Sequence, residues 1–277
     1  MYATDFEYDG IKLSDKGLMI CSFDSSNSAT TVSSGADITF NQVKSSSSDK
    51  FNLYSYTYDE AYTTTFQICK DPDTDYTADD WDSTSYLTPD NVADIQRWLC
   101  RKNKYYTFRL DQEGYENIHW NATFSSQMIT VNGKIAGLEL TLVTDAPYAY
   151  LDEVVDEFTC IADESFTISV TNKNNATIKP IITIYFSADC DLFTLRNSLD
   201  NKIMQIENCL MGETITLDCE NGIITTDSSV HDVTIANDFN YYFPRLIIDY
   251  DSEDNVFTTN TDCSIIFTYC PTIAVGM

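Results

Sequence analysis

The stretch NIHWNATFSSQMITVNGKIAGLELTLVT, Asn117 to Thr144, decides the fold class. Ile118, Trp120, Ala122 and Phe124 alternate with His119, Asn121 and Thr123, a period of two that gives a strand one buried and one polar face. Asn132-Gly133 then supplies the positive φ angles of a two-residue turn. Beyond it Leu138, Leu140 and Leu142 alternate with Glu139, Thr141 and Val143. The spacing predicts an antiparallel pair of strands.

Upstream, TPDNVADIQRWLCRKNK (Thr88 to Lys104) is the one convincing helix, over about 88–102. Thr88 is a natural N-cap, Pro89 suits the first helical position and Asp90 sits against the positive end of the dipole. Val92, Ile95 and Leu99 share one face, with Trp98 beside them. Arg97, Arg101, Lys102 and Lys104 gather near the negative end, and with Arg109 they make five of the sixteen Lys and Arg of the chain. Two readings stand for this cluster: dipole compensation on a solvated face, or a docking surface for an acidic neighbour.

Before the helix, YTTTFQICK (Tyr62 to Lys70) reads as a strand and DPDTDYTADDWD (Asp71 to Asp82) as an acidic loop. The loop has the ligand spacing of an EF-hand. Tyr76 occupies the bend where Gly is the norm, Asp82 replaces the bidentate Glu, and a strand leads in, so a solvated loop is expected and no metal site is assigned. The serine-rich patch Ser33 to Lys50 reads as loops around a strand, ITFNQVK. After Thr144, Pro147 breaks the pattern and acids collect, which sets a domain boundary and divides the chain into 1–150 and 151–277. The second part is all strand and turn, in TISVTN, IKPIITIYFS, ETITLDCENGIITTD, RLIIDYD and CSIIFTY, the pattern of a β-sandwich. The fold class is mainly β, with one helix in the first domain and an antiparallel sandwich in the second.

With 43 acidic and 16 basic residues, the 277-residue chain carries a formal charge of −27, which argues against ordinary binding of nucleic acid or anionic membrane. No run of about 18 apolar residues is present, and the opening MYATDFEYDG lacks the basic and apolar parts of a secretory signal, so no membrane partner and no export are expected. Nine cysteines without a C-x-x-C pair read as reduced, mostly buried thiols of a cytoplasmic protein. On that reading the sequons at Asn121 and Asn175 carry no weight.

Catalysis has little to build on. The chain lacks G-x-S-x-G, a Gly-rich phosphate loop and H-E-x-x-H, and its two histidines, His119 on a strand face and His231 in a turn-like SSVHDV, have no evident nucleophile or orienter beside them. The acids offer too many pairs to single out a glycosidase dyad, and 18 Tyr with 3 Trp in a β-rich chain are more often sheet residues than sugar platforms. No catalytic residue and no cofactor is assigned.

The order of features is nonetheless specific: DFEYDGIKLSDKGLMICSFD, ITFNQVK, FQICK, the helix ending RWLCRK, YYTFRL, NIHWNATF and GLELTLVTDAPYAY. Together they resemble the N-terminal domain of the distal tail proteins of long-tailed, siphovirus-type bacteriophages. GETITLDCENGIITTD, FNYYFPRL and the closing IIFTYCPTIAVG are similar to the galectin-like sandwich that forms the second domain of that family. The resemblance implies a structural virion protein assembled in the bacterial cytoplasm. It would form a hexameric ring at the distal end of the tail tube, with the tube protein and a tail-tip or baseplate hub protein as partners and DNA passing through the lumen unbound. It also implies that Arg97, Arg101, Lys102 and Lys104 are candidates for an assembly contact. With about 125 residues, the second domain leaves little room for an inserted carbohydrate-binding module. The alternative is a tail-tip module whose sandwich binds host glycans.

Overall fold

The computed structural model describes residues 3, 5–23, 35–46, 49–72, 85–171, 174, 176–248 and 254–276. The chain forms two compact units, Met1–Tyr150 with Ala274–Met277, and Leu151–Ile273. The first holds strands β1 (Asp5–Tyr8), β2 (Ile11–Lys12), β3 (Leu18–Cys21), β4 (Ile38–Lys44), β5 (Phe51–Tyr58) and β6 (Thr63–Lys70). Helix α1 (Pro89–Leu99) and strands β7 (Tyr106–Asp111), β8 (Ile118–Val131), β9 (Lys134–Thr144) and β10 (Ala149–Leu151) follow.

The central sheet runs β2-β1-β7-β8-β9-β6-β3, with every neighbour antiparallel. The β8–β9 hairpin is its spine. Asn132 (φ 52°) and Gly133 (φ 79°) make the turn in the left-handed region, as the Asn-Gly pair requires. The alternation of β8 then buries Trp120, Ala122 and Phe124 against Leu138, Leu140 and Leu142 of the next strand's inner face. Phe6, Phe66, Phe108 and Phe124 cluster in this core with ring centroids 5.2 to 6.4 Å apart. α1 closes it with Val92, Ile95, Trp98 and Leu99. Gly137 lets β6 come close: a Cβ there would collide with the Ile68 carbonyl and stand 2.8 Å from the Phe23 ring.

α1 begins as its sequence dictates. The Thr88 hydroxyl accepts from Asn91 N at 3.1 Å, and the Asn91 side chain accepts from Thr88 N at 3.0 Å. It ends at Leu99, sooner than the expected 102, because other groups take over the last carbonyls and redirect the chain. Arg101 Nε donates to Trp98 O at 2.9 Å, and Thr123 Oγ1 donates to Arg101 O at 2.7 Å.

The second unit contains β11 (Val154–Cys160), β12 (Ser165–Ser169), β13 (Ile181–Phe186), β14 (Cys190–Asn197), β15 (Ile203–Cys209), β16 (Thr214–Asp218) and β17 (Ile223–Thr226). A single-turn helix α2 (Ile235–Asp238) precedes β18 (Asp254–Thr259), β19 (Cys263–Tyr269) and β20 (Thr272–Ile273). Two antiparallel sheets form a sandwich, β11-β19-β13-β16-β17 and β12-β18-β14-β15. Ile182, Ile184, Ile215, Leu217, Ile265 and Phe267 of one sheet and Ile168, Phe193, Leu195, Met204, Ile206 and Phe257 of the other fill its core. Asn255 is fully buried, and its amide bonds both Ile247 N and Ile247 O at 2.8 and 2.9 Å. The second Asn-Gly pair, Asn221-Gly222, lies in a four-residue turn between β16 and β17, with Asp218 accepting from Asn221 N.

Candidate assembly surface

Residues 73–84, which hold most of the acidic loop with EF-hand spacing, lie outside the described residues. Among the described residues no group of three or more His, Cys, Asp and Glu is placed to hold a metal ion. Nor is any helix long and apolar enough to cross a membrane.

The four basic residues singled out near the end of α1 come together around one open groove of about 920 Å³, with Gln96, Cys100, Thr123 and Ser126 in its wall. They are not equivalent. Arg101 turns inward, its guanidinium 2.6 Å from Asp9 and 4.3 Å from the Tyr106 ring centroid. Lys104 lies 4.8 Å from that same ring. Tyr106 thus has two cations close to its ring, and burial of the neighbouring Tyr8 pushes the Tyr8 phenol up to about 12. Arg97 and Lys102 are exposed and, among the described residues, pair with no carboxylate. The groove therefore presents Arg97, Lys102 and the exposed Lys104 beside Arg101, which is spent on Asp9.

A second surface is larger and apolar. Among the described residues, β4 and β5 pair only with each other and are exposed along almost their whole length. Their register sets Ile38 opposite Tyr58 and Phe40 opposite Tyr56. An irregularity after Asn41 then leaves Tyr54 unpaired and sets Gln42 opposite Leu53 and Lys44 opposite Phe51. That bulge keeps Leu53 and Phe51 on the side that already carries Ile38, Phe40, Tyr56 and Tyr58. The opposite side carries Thr39, Asn41, Ser55, Thr57 and Asn52, with one apolar residue, Val43, among them and Asn41 Nδ2 donating to Ser55 Oγ at 3.0 Å. The hairpin is amphipathic, yet Phe40, Phe51 and Leu53 are each about 60% exposed (57%, 62% and 61%). Sequence reasoning found β4 and missed the hairpin; the signal was the alternation in FNLYSYTY, Phe51 to Tyr58, which pairs with ITFNQVK.

Both histidines have neighbours within the chain. His119 stacks on Tyr150 with ring centroids 5.7 Å apart. His231 sits in a 3-10 turn, as its sequence suggests, but is buried. Its Nδ1 lies 2.6 Å from Glu213 Oε1 and its Nε2 3.5 Å from Asp238 Oδ2. Glu213 also accepts from Leu210 N at 2.8 Å and from the Thr226 hydroxyl. The cluster ties α2 and the turn before it to the sandwich and opens on none of the cavities described. On the outer face of the four-stranded sheet, a cavity of about 360 Å³ is lined by Ser165, Thr194, Arg196, Thr258 and Asn260, among others, and holds no aromatic side chain. A stacking platform for a sugar ring is absent from that lining.

Fold and surfaces together define a two-unit, mainly β protein with an exposed apolar hairpin. The chain belongs to a phage tail family: the family described as "Phage tail protein N-terminal domain" matches residues 1–146, and "Phage tail C-terminal domain" matches residues 148–269. It is a virion component of a phage tail. Among solved structures it is similar to the Dit protein (gp 19.1) of phage SPP1, described as a paradigm of hub adsorption apparatus in Gram-positive infecting phages. The identity is 13%, with 96% of this chain and 98% of that chain covered and a TM-score of 0.62, so the likeness is one of fold. No curated protein matches the chain.

Proposed function

We propose that the protein forms a hexameric ring at the distal end of a phage tail tube, joins the tube to the tail-tip or baseplate hub, and surrounds the channel through which DNA passes. The β4–β5 hairpin carries this reading. An isolated two-stranded hairpin is marginal in water, and one that turns six apolar or aromatic side chains to one side is stabilised by packing on another chain. A ring repeats one heterologous contact around an axis, so a projecting arm that docks on the next copy suits closure. The similarity in fold to a protein described as an adsorption hub supports the location.

On this reading unit 1 closes the ring, and the second unit, a galectin-like sandwich, faces the baseplate parts. Arg97 and Lys102 would meet an acidic surface on a neighbour and guide docking. Six copies at −27 each carry −162, and acids facing the lumen would repel the DNA backbone and keep it from sticking. The structural family favours a protein without catalysis, and the cavity on the outer face of the four-stranded sheet, whose lining has no aromatic side chain, lends the glycan-binding alternative nothing. The test is native mass and negative-stain imaging of the purified chain, with and without the tube protein. A six-fold ring is expected, and a chain that stays monomeric with its tube partner present would overturn the reading.

A further inference from the structure

Six of the nine cysteines fall into three neighbouring pairs, and the pairs differ in how ready they are to react. Cys160, the last residue of β11, stands directly opposite Cys263, the first residue of β19. Cys190 stands directly opposite Cys209 across β14 and β15. Cys21 and Cys69 share a face of β3 and β6 but sit diagonally, because Cys21 pairs with Gln67 and Cys69 with Met19. Directly opposed residues of an antiparallel ladder have Cα atoms roughly 4.5 to 5.5 Å apart, inside the roughly 4.4 to 6.8 Å that a disulfide spans, so a bond there asks little of the backbone.

The side chains separate the two opposed pairs. In Cys190–Cys209 the thiols are turned to other partners, Cys190 Sγ 3.1 Å from Thr261 Oγ1 and Cys209 Sγ 3.7 Å from Ile206 O. In Cys160–Cys263 each thiol acts first on the other. Cys263 holds Cys160 below the ordinary thiol range, and Cys160 together with burial pushes Cys263 up; the diagonal pair behaves alike, Cys69 being lowered and Cys21 raised by one another, but only Cys160 and Cys263 add direct opposition across the ladder. Both residues are buried, yet they close the end of the sheet beside Ile161, which is exposed, so opening one strand end exposes the pair.

We infer that Cys160 and Cys263 are a built-in disulfide site, the first of the two directly opposed pairs to close when the protein meets a small-molecule disulfide oxidant. Cys160, as thiolate, attacks one sulfur of the oxidant and expels the other as a thiolate, giving a mixed disulfide. Cys263, as thiolate, then attacks the Cys160 sulfur and expels the second small thiolate. The two protons leave with the two small thiols, and the oxidant's S–S bond takes up both electrons. The product links the first and last long strands of the sandwich across about 100 residues, where loop closure restricts the unfolded chain most. A tail protein made in a reducing cytosol and released into an oxidising medium would gain this link after assembly.

The experiment treats the purified full chain with oxidised glutathione under native conditions, then denatures and alkylates it with N-ethylmaleimide. Intact mass should show alkylation falling from nine thiols to seven, and an unreduced peptide map should join Cys160 to Cys263. The unfolding midpoint of the second unit should rise by about 5 °C or more and return on reduction. In Cys160→Ser, all eight remaining thiols should still alkylate after the same treatment. Nine thiols alkylated in the treated wild type, Cys160 recovered only as a glutathione adduct, or closure of Cys190–Cys209 at an equal or faster rate would each overturn the inference. The wild-type map decides the matter even where the serine variant folds poorly.

Discussion

Unit 1 contains two hairpins built from the same kind of sequence, and they end in opposite surroundings. β8–β9 alternates apolar and polar residues and buries its apolar face under α1, with Trp120, Leu138, Leu140 and Leu142 out of contact with water. β4–β5 alternates in the same way, uses a bulge to keep most of its apolar residues on one side, and leaves that side in solvent. Alternation therefore specifies a strand with two unlike faces without saying what covers the apolar one. One hairpin meets its partner within the chain, and the other is proposed to meet it in the next copy.

The sharpest way to break the comparison is to make the outer hairpin polar. Phe40→Ser with Leu53→Ser should abolish the ring in native mass spectra while leaving the monomer's unfolding midpoint and circular dichroism almost unchanged. Loss of the monomer fold instead would mean that the hairpin packs within its own chain. The same truncation in the inner hairpin should act on folding: Trp120→Ala should cost about 3 to 5 kcal/mol in denaturant unfolding of unit 1, through the lost side chain and the cavity it leaves.

A smaller effect tests the close approach of β9 and β6. Gly137→Ala should cost roughly 1 to 3 kcal/mol, because the new methyl meets the Ile68 backbone carbonyl, which cannot swing away as a side chain can. Removing the cap of the helix that covers the inner hairpin, Thr88→Ala, should cost about 1 kcal/mol by thermal unfolding.

The smallest effect concerns acid. Glu116, at the turn entering β8, is held below the usual carboxylate range by the backbone N–H of Gly114. A depressed folded value means that its contribution is present above the ordinary value of about 4.3 and fades as pH falls through the folded one. Glu116→Gln should therefore flatten the acid limb of the stability profile slightly and change nothing at pH 7 beyond the loss of that turn.

Much of this was legible beforehand. The Asn132-Gly133 turn, the Thr88 cap with Pro89 behind it, and the strands β12, β13, β16, β17 and β19 are local features, set by φ preferences and side-chain periodicity within a few residues; RLIIDYD, expected as a strand, makes only the Leu246–Ile178 bridge among its described residues, and β11, β14, β15 and β18 were not read from the sequence. The basic cluster was legible as a set, since Arg97, Arg101, Lys102 and Lys104 do line one groove. Its division was not. Arg101 is drawn inward by Asp9 and Tyr106, which are distant or on another strand, and no pattern within the helix announces them. The helix stops at Leu99 for a related reason, because Thr123 of β8 binds the Arg101 carbonyl.

What the sequence by itself determined is the repertoire: alternating strands, one capped helix, a strongly acidic surface and the family to which the chain belongs. These follow from short-range sterics, hydrogen bonding and net charge, which act along the chain. Only the tertiary structure decided which apolar faces find cover, which cations are already spent on internal partners, and which cysteines stand opposite one another. Those depend on strand register between residues far apart in sequence, such as Cys160 and Cys263 or Asn41 and Ser55, where a shift of one residue sends a side chain to the other face.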